Sequence, residues 1–309
     1  MNWVKLREHF LADVRNEVAP PRLAIPPLPA VTVEFCRAAE RPDITINELG
    51  AILERDAVLL VEVLRMVNSS ALAVRNKISS ARAALSLLGI RRARMYVLTT
   101  SVQSVAQRVK SPLCDLNLFS FAAMQRAVFS RRFAERRGLD AELAFAAGLL
   151  QDFAVPALTM ENPDRYHTLI ASLSNDAASM ADVERARFGW DHALAAARLM
   201  LSWQFPDDLI CLAFAHHRLE AILASSALSD SELLPVALSS LLPNPLDARQ
   251  CCVDRLEQLL STRFKVDVAA FRGWVAEDLQ HTGVPYNEDL AWRPKKPMSG
   301  LRHAAAARR

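Results

Sequence analysis

A carboxylate interrupts an apolar segment in the middle of the chain. Residues 145–156 read FAAGLLQDFAVP, and at helical spacing Phe145, Leu149 and Asp152 share one face. An unpaired carboxylate in an apolar interior is costly, or its pKa shifts until it is protonated. The pattern therefore predicts that Asp152 has a partner, which could be a metal ion, a histidine or a ring of backbone N–H groups.

Three histidines are candidate partners for this carboxylate. His192 lies in the sequence FGWDHALAAA, and His216 and His217 are adjacent in FAHHR. One carboxylate and two imidazoles could hold a single metal ion with open coordination positions. Because adjacent residues on a helix point about 100° apart, only one of His216 and His217 is expected to face Asp152.

A second arrangement of the same residues needs no metal. Hydrogen bonds from one or two imidazoles would satisfy Asp152, fix the tautomers and tie three helices together. Gln151 favours this arrangement, since its amide is a poor ligand for transition metals. An Asp152 side chain that reaches solvent is the third alternative.

Two arginine clusters are further candidate sites. They consist of Arg91, Arg92 and Arg94, and of Arg131, Arg132, Arg136 and Arg137. Guanidinium groups match phosphate oxygens, but cations near a helix C-terminus are also typical of a solvated face. We favour the solvated face and expect no nucleic-acid binding, because no aromatic residues interleave with these arginines and the net charge is only +3.

Other chemistry is poorly represented in the sequence. The five cysteines form no CxxC pair, which predicts reduced thiols in a cytosolic protein. Phosphate-binding glycine loops and the GxSxG motif do not occur in the sequence. The N-terminus is charged throughout, and no uncharged apolar run approaches the roughly 20 residues that span a bilayer. We therefore expect a cytoplasmic protein without membrane association.

Composition and periodicity predict an all-α protein. The 309 residues are 51% hydrophobic and 23% charged, and the apolar residues recur at helical spacing. Ser79 or Ser80 is expected to cap a helix that ends at Leu88, with Gly89 as the turn residue. Helices are predicted over 1–18, from Ala30, within the runs 46–56 and 56–68, over 117–137, from Asp140, Pro163, Met180, Asp191 and Pro206, and over 247–264 and 267–282.

These helices suggest four segments. An N-terminal helix (1–19) precedes a first helical half (20–110), and Pro112 and its polar neighbours mark a seam. A second helical half with a C-terminal extension follows (115–285). The last segment (286–309) reads as a basic flexible tail.

Several short motifs resemble one known family. Asn68-Ser69-Ser70-Ala71, the Ile78-Ser79-Ser80 entry to a helix and the run ALSLLG (84–89) resemble the first half of HDOD modules, the HD-related output domains of bacterial signalling proteins. The preceding ILERDAVLLVEVLRMVN and the entry PPLPA fit the same pattern. The resemblance covers about residues 20–220, and it implies an N-terminal helical bundle followed by an HD-like helical half.

The resemblance also implies where metal ligands belong. HD-type phosphohydrolases hold a cation with a first His, an adjacent His-Asp pair and a later Asp. Here Phe121 stands at the expected first position, Gln151-Asp152 replaces the pair, and the helix around Pro235 and Val236 has no Asp. His192, His216 and His217 resemble the additional histidines that complete a second site in two-metal relatives such as the HD-GYP phosphodiesterases.

These observations lead to one expectation and one alternative. We expect a non-catalytic signalling or scaffold protein with no catalytic residues, no cofactor and no bound metal. The family implies a link to two-component or cyclic di-GMP pathways and a protein partner, which we expect to dock between the two halves. The alternative is a divergent metal-dependent phosphohydrolase acting on a nucleotide or cyclic dinucleotide through Asp152, His192 and His216 or His217.

Overall fold

The chain folds into helices joined by short links. The computed structural model describes residues 1–13, 20–21, 23, 25–68, 77–173, 178–247 and 249–293, and within them there is no strand beyond an isolated bridge between Asn244 and Asp247. The all-α prediction is confirmed. The helices are α1 (Trp3–Asp13), α2 (Ala30–Ala38), α3 (Ile46–Leu53), α4 (Ala57–Val67), α5 (Ala81–Leu88), α6 (Ile90–Ala106), α7 (Leu116–Arg137), α8 (Ala141–Leu150), α9 (Val155–Glu161), α10 (Pro163–Leu173), α11 (Met180–Phe188), α12 (His192–Ser202), α13 (Asp207–Ala215), α14 (Leu219–Ala224), α15 (Ser226–Ser229), α16 (Leu233–Ser239), α17 (Gln250–Thr262) and α18 (Val268–Gln280).

Helices α2–α6 form the first half, and side-chain caps fix where several of them begin. Thr45 and Glu48 form a capping box at α3, and Ser80 caps α5 through the backbone N–H of Ala83. Gly89 ends α5 with a φ of 74°, a conformation that glycine adopts without strain. The predicted boundary at Ser79 or Ser80 and Gly89 is therefore correct.

The second half is built around α7, which packs along α8. The two helices approach closely at Gly148, where a Cβ atom would lie 2.9 Å from the carbonyl oxygen of Arg126 and 2.8 Å from Ser130 Oγ. Glycine at this position lets α8 run directly against the backbone of α7. Gly138 ends α7 in the left-handed conformation, as its position after Arg137 predicts.

The helix predicted from Asp140 is interrupted. Helix α8 ends at Leu150, residues 151–154 form a turn, and α9 begins at Val155 with Pro156 in its first turn. Proline lacks the N–H that a continuing helix would need and is well tolerated at a helix start. Asp152 therefore lies in the turn between two helices. The stretch Ala141–Glu161 is long and apolar enough to cross a membrane by length and composition, but 83% of its apolar window is buried inside the protein.

The two ends of the chain pack more closely than the sequence predicts. Helix α1 lies on α13, with Phe10 against Phe214. Near the other end, Trp292 is buried, its backbone N–H donates to Gln125 Oε1 at 2.7 Å and its indole N–H donates to Glu257 at 3.0 Å. The predicted flexible tail is thus packed as far as this tryptophan. Residues 294–309 and Val14, a predicted apolar position of the first helix, lie outside the described residues.

The close approach at Gly148 gives a test of the fold. Gly148→Ala should destabilise the protein by about 1–3 kcal/mol, because the added methyl group forces α7 and α8 apart. Gly273→Ala is the matched control, since a Cβ there meets nothing within 4 Å among the described residues and alanine favours the exposed interior of α18. Thermal or urea unfolding of both variants measures the effect; equal stability of the two would contradict this packing.

Candidate metal centre

Four side chains converge in the second half. Asp152, His192, His216 and His217 each bring one potential ligand atom, and these atoms all lie within 4.8 Å of one another. Asp152 Oδ1 is 3.2 Å from His192 Nε2 and 3.3 Å from His216 Nε2. The Nε2 atoms of His192 and His217 are 2.9 Å apart. The sequence-predicted candidates are therefore brought together.

All four residues stand at helix ends. Asp152 follows α8, His192 opens α12 after the N-cap Asp191, and His216 and His217 follow directly after α13. The expectation that only one of the adjacent histidines faces Asp152 is wrong. It assumed a continuous helix, whereas α13 ends at Ala215 and the chain turns, so that both imidazoles reach the same point.

The ring of His216 is oriented by its own backbone. Its Nδ1 donates a hydrogen bond to the carbonyl oxygen of Ala213 at 2.6 Å, which leaves Nε2 as an acceptor in the neutral ring. This Nε2 atom is buried without a hydrogen-bond partner among the described residues, although Asp152 Oδ1 is close. A carboxylate also only accepts hydrogen bonds, so two acceptor atoms face each other here.

The second oxygen of Asp152 contacts an arginine. Arg126 Nη1 lies 3.0 Å from Asp152 Oδ2, and the arginine side chain is only 2% exposed. Burial acts to raise the pKa of Asp152, but Arg126, His192 and His216 outweigh it and hold that pKa well below its usual range. The carboxylate is therefore ionised at neutral pH.

Helix α7 contributes an arginine to the site, whereas the assignment of Phe121 to the first ligand position stays a prediction. Phe121 was expected where the first ligand of an HD-type site would stand, but its ring packs against Tyr286, with centroids 5.4 Å apart. The residue of α7 that contacts Asp152 is Arg126, which the sequence analysis did not single out. The sequence does contain a signal for Arg126: it stands four residues after Ala122 and three before Phe129, so helical spacing places it on the buried face of α7.

A buried glutamate and tyrosine support His192. Glu184 Oε2 accepts hydrogen bonds from the backbone N–H of His192 at 2.8 Å and from its Nδ1 at 2.5 Å. Tyr166 donates to the other oxygen at 2.8 Å, and Glu184 is fully buried. Such a carboxylate fixes the ring with Nε2 directed at the cluster, an arrangement common behind metal-binding histidines. Sequence reasoning missed both residues because neither stands in a recognisable motif.

The imidazoles differ in their protonation. Burial lowers the pKa of His192, but Glu184 and Asp152 outweigh burial and raise it well above the ordinary value. His217 behaves oppositely, because burial and the neighbouring His216 and His192 hold its pKa well below the ordinary value. His217 is therefore neutral at physiological pH, whereas His192 carries a proton that a bound cation would have to displace.

Uncharged residues occupy the place beside Asp152 where the resemblance implied further ligands. Ser239, the last residue of α16, donates a hydrogen bond to Gln151 Oε1 at 3.0 Å. The resemblance points to Pro235 and Val236 in α16, whereas Ser239 is the residue of this helix that reaches Gln151. Amide and hydroxyl groups are weak ligands for transition metals, so this side of Asp152 lacks a strong donor set.

The arginine clusters are bound by acidic side chains. Arg92 and Arg131 both contact Glu142, at 3.2 and 3.3 Å. The other ion pairs are Arg91–Asp140, Arg94–Glu40, Arg132–Asp278, Arg132–Glu135 and Arg137–Asp230, while Arg136 donates to the carbonyl oxygen of Lys265. Two of these pairs, Arg91–Asp140 and Arg92–Glu142, join α6 to the start of α8, so these cations connect the two halves of the chain.

Comparison with known proteins identifies the fold and the family. The fold is all-α, with one aspartate and three histidines gathered from three helix ends. The family model of the HDOD domain matches residues 25–219. The chain belongs to the HDOD domain family, as the resemblance predicted.

Three solved structures share this fold. An HDOD domain protein of unknown function from Geobacter sulfurreducens is 20% identical, with a TM-score of 0.60 and coverage of 93% of this chain and 91% of that one. A protein of Shewanella amazonensis SB2B that is named as a phosphohydrolase is 24% identical to this chain. Its TM-score is 0.60, and the match covers 88% of this chain and 93% of that one. A protein of Marinobacter aquaeolei VT8 that is named as a signal transduction protein is 19% identical to this chain. Its TM-score is 0.54, and the match covers 91% of this chain and 66% of that one.

A curated relative is longer than this chain. An uncharacterized protein of Treponema pallidum (strain Nichols) is 25% identical over 199 residues, which cover 63% of this chain and 38% of the relative. The chain thus matches less than two fifths of that protein's length.

The expectation that this protein is not an enzyme is overturned. It rested on a count of ligands missing from the sequence, but the structure assembles a buried cluster of one carboxylate and three imidazoles. Proteins of the same fold include one with a phosphohydrolase name. The missing positions therefore do not exclude catalysis.

Asp152 should be essential to stability as well as to the site. Asp152→Asn keeps the size of the side chain but leaves Arg126 buried without a countercharge, which should cost about 3 kcal/mol. Asp43→Asn removes a partner of Arg41 at the surface and should leave the unfolding midpoint unchanged. Chemical denaturation of the two variants distinguishes the cases, and a wild-type midpoint for Asp152→Asn would mean that the ion pair is absent in solution.

Proposed function

We propose that Asp152, His192, His216 and His217 bind one divalent transition-metal ion, and that the protein uses this site to hydrolyse a phosphoester in a signalling process. One observation carries the proposal: four potential ligand atoms from three helix ends lie within 4.8 Å of one another. Three imidazoles and one carboxylate are a donor set suited to Zn²⁺ or Fe²⁺.

The unsatisfied atoms of the cluster support a cation. Because His216 Nδ1 donates to Ala213, a neutral His216 ring presents only an acceptor, Nε2, to the ionised carboxylate. In a hydrogen-bonded cluster without metal, the arrangement favoured by the sequence, this contact is satisfied only when a proton occupies His216 Nε2. A positive ion between Nε2 and the carboxylate would satisfy both.

The surrounding residues have defined roles in this proposal. Arg126 keeps Asp152 ionised and holds its Oδ2, so that Oδ1 faces the imidazoles. Glu184 and Tyr166 hold His192 with Nε2 toward the same point. A divalent ion bound there would act as a Lewis acid and lower the pKa of a bound water molecule toward neutrality.

The residues around Asp152 offer ligands for one metal ion per chain. Gln151 and Ser239 are hydrogen-bonded to each other, and Arg126 already contacts the second oxygen of Asp152. A second cation near this oxygen would be repelled by the guanidinium group and would find only weak donors.

The biological setting rests on the family and on the names of similar structures. The HDOD family and a similar fold named for signal transduction support a signalling role. We propose a cytoplasmic location, which agrees with five free cysteines, and a protein partner that conveys the signal.

Metal content and hydrolysis test this function together. The purified protein should contain about one Zn or Fe per chain by mass spectrometry and should hydrolyse bis(p-nitrophenyl) phosphate. His217→Ala should lose both properties, because it removes a neutral imidazole ligand. His167→Ala, at an exposed position of α10, should retain both.

Two results would contradict the proposal. Protein reconstituted with Zn²⁺, Fe²⁺ or Mn²⁺ that retains no ion after dialysis would remove the metal site. A retained ion that is unaffected by His217→Ala would place it elsewhere in the chain.

A further inference from the structure

A narrow cleft leads from the surface toward Asp152. It lies between α6, α7 and the turn that joins α8 to α9. Gln107 at one end is exposed, whereas Arg126 and Asp152 at the other are buried. The cleft therefore connects solvent to both Arg126 and the carboxylate of Asp152.

The walls of this cleft are mostly apolar. Phe119, Leu149 and Phe153 line it, and Gln103 of α6 and Gln107, directly after α6, add two amide groups. Gln103 and Gln107 are four residues apart and lie on the same side of α6. The lining suits a flat apolar group with a polar edge.

Arg126 has unused hydrogen-bonding capacity. A guanidinium group carries five N–H donors. Nη1 contacts Asp152 Oδ2 at 3.0 Å, and Nη2 donates to the carbonyl oxygen of Leu242 at 3.4 Å. The buried Nε has no hydrogen-bond partner among the described residues. An unpaired buried donor is unfavourable, and an anionic oxygen in the cleft would satisfy it.

We propose that this cleft is the substrate-binding channel, and that it takes a phosphoester whose phosphate contacts Arg126 while a flat apolar body lies between the walls. This inference rests on the proposed function, because Asp152 alone would repel an anion. Arg126 and a divalent ion together outweigh the carboxylates of Asp152 and Glu184, so the loaded site is positively charged. Anion binding should therefore depend on the metal.

Calorimetry with phenylphosphonate on the Zn²⁺-loaded full-length protein tests the channel. This probe has a carbon–phosphorus bond that the site cannot hydrolyse. It should bind at least tenfold more tightly than methylphosphonate, because its ring buries apolar surface against the walls. Benzyl alcohol, which has the ring without the anion, should not bind.

Substitutions that fill the cleft test the same channel, with a substitution elsewhere on the surface as the control. Ala123→Trp places a large ring on the α7 wall, three residues before Arg126, and should weaken phenylphosphonate binding at least tenfold with unchanged zinc content. Ala51→Trp, at an exposed position of α3, should have no effect. Ser120→Phe fills the same wall and replaces Ala123→Trp if that variant does not fold.

The outcomes separate this inference from the proposed function. A zinc-loaded protein that binds phenylphosphonate no more tightly than methylphosphonate, or whose folded wall variants bind it as the wild type does, overturns the channel and leaves the metal site intact. A wild-type protein that takes up no ion overturns the proposed function, and the channel with it.

Discussion

The buried carboxylate of Asp152 is the constraint on which the second half of the protein depends. Its two oxygens face opposite kinds of partner, with Arg126 on one side and the imidazoles of His192 and His216 on the other. An ionised carboxylate is tolerated in the interior only with such compensation. The helices that supply these partners, α7, α12 and α13, must therefore meet at the turn after α8.

Helix ends make this meeting feasible. A helix displays its side chains around an axis, so one continuous helix cannot surround a point. Breaking the chain after Leu150 and Ala215, and starting α12 at His192, turns three backbones toward one place. The close approach of α7 and α8 at Gly148 brings Arg126 within reach of Asp152. Glycine and proline positions thus shape the site without being part of it.

Much of this arrangement could be predicted from sequence, and the failures have physical causes. Caps such as Ser80 and Gly89 are local signals, and the partnership of Asp152 with histidines follows from the cost of burying a charge. The joint approach of His216 and His217 depends on where α13 ends, which periodicity locates poorly. Arg126, Glu184 and Tyr166 are contacts between distant segments that no local motif records. The expectation of a non-catalytic protein was wrong because it rested on the number of missing ligands and left out how closely the remaining donors approach one another.

The measurement that tests this account most directly is a crystal structure of zinc-soaked protein with anomalous data collected at the zinc absorption edge. We expect a single strong anomalous peak in contact with Asp152 Oδ1 and the Nε2 atoms of His192, His216 and His217, with Arg126 still bound to Oδ2. If the zinc-soaked crystal shows Asp152 hydrogen-bonded directly to the imidazoles, with no anomalous peak among these side chains, the proposed metal site is wrong.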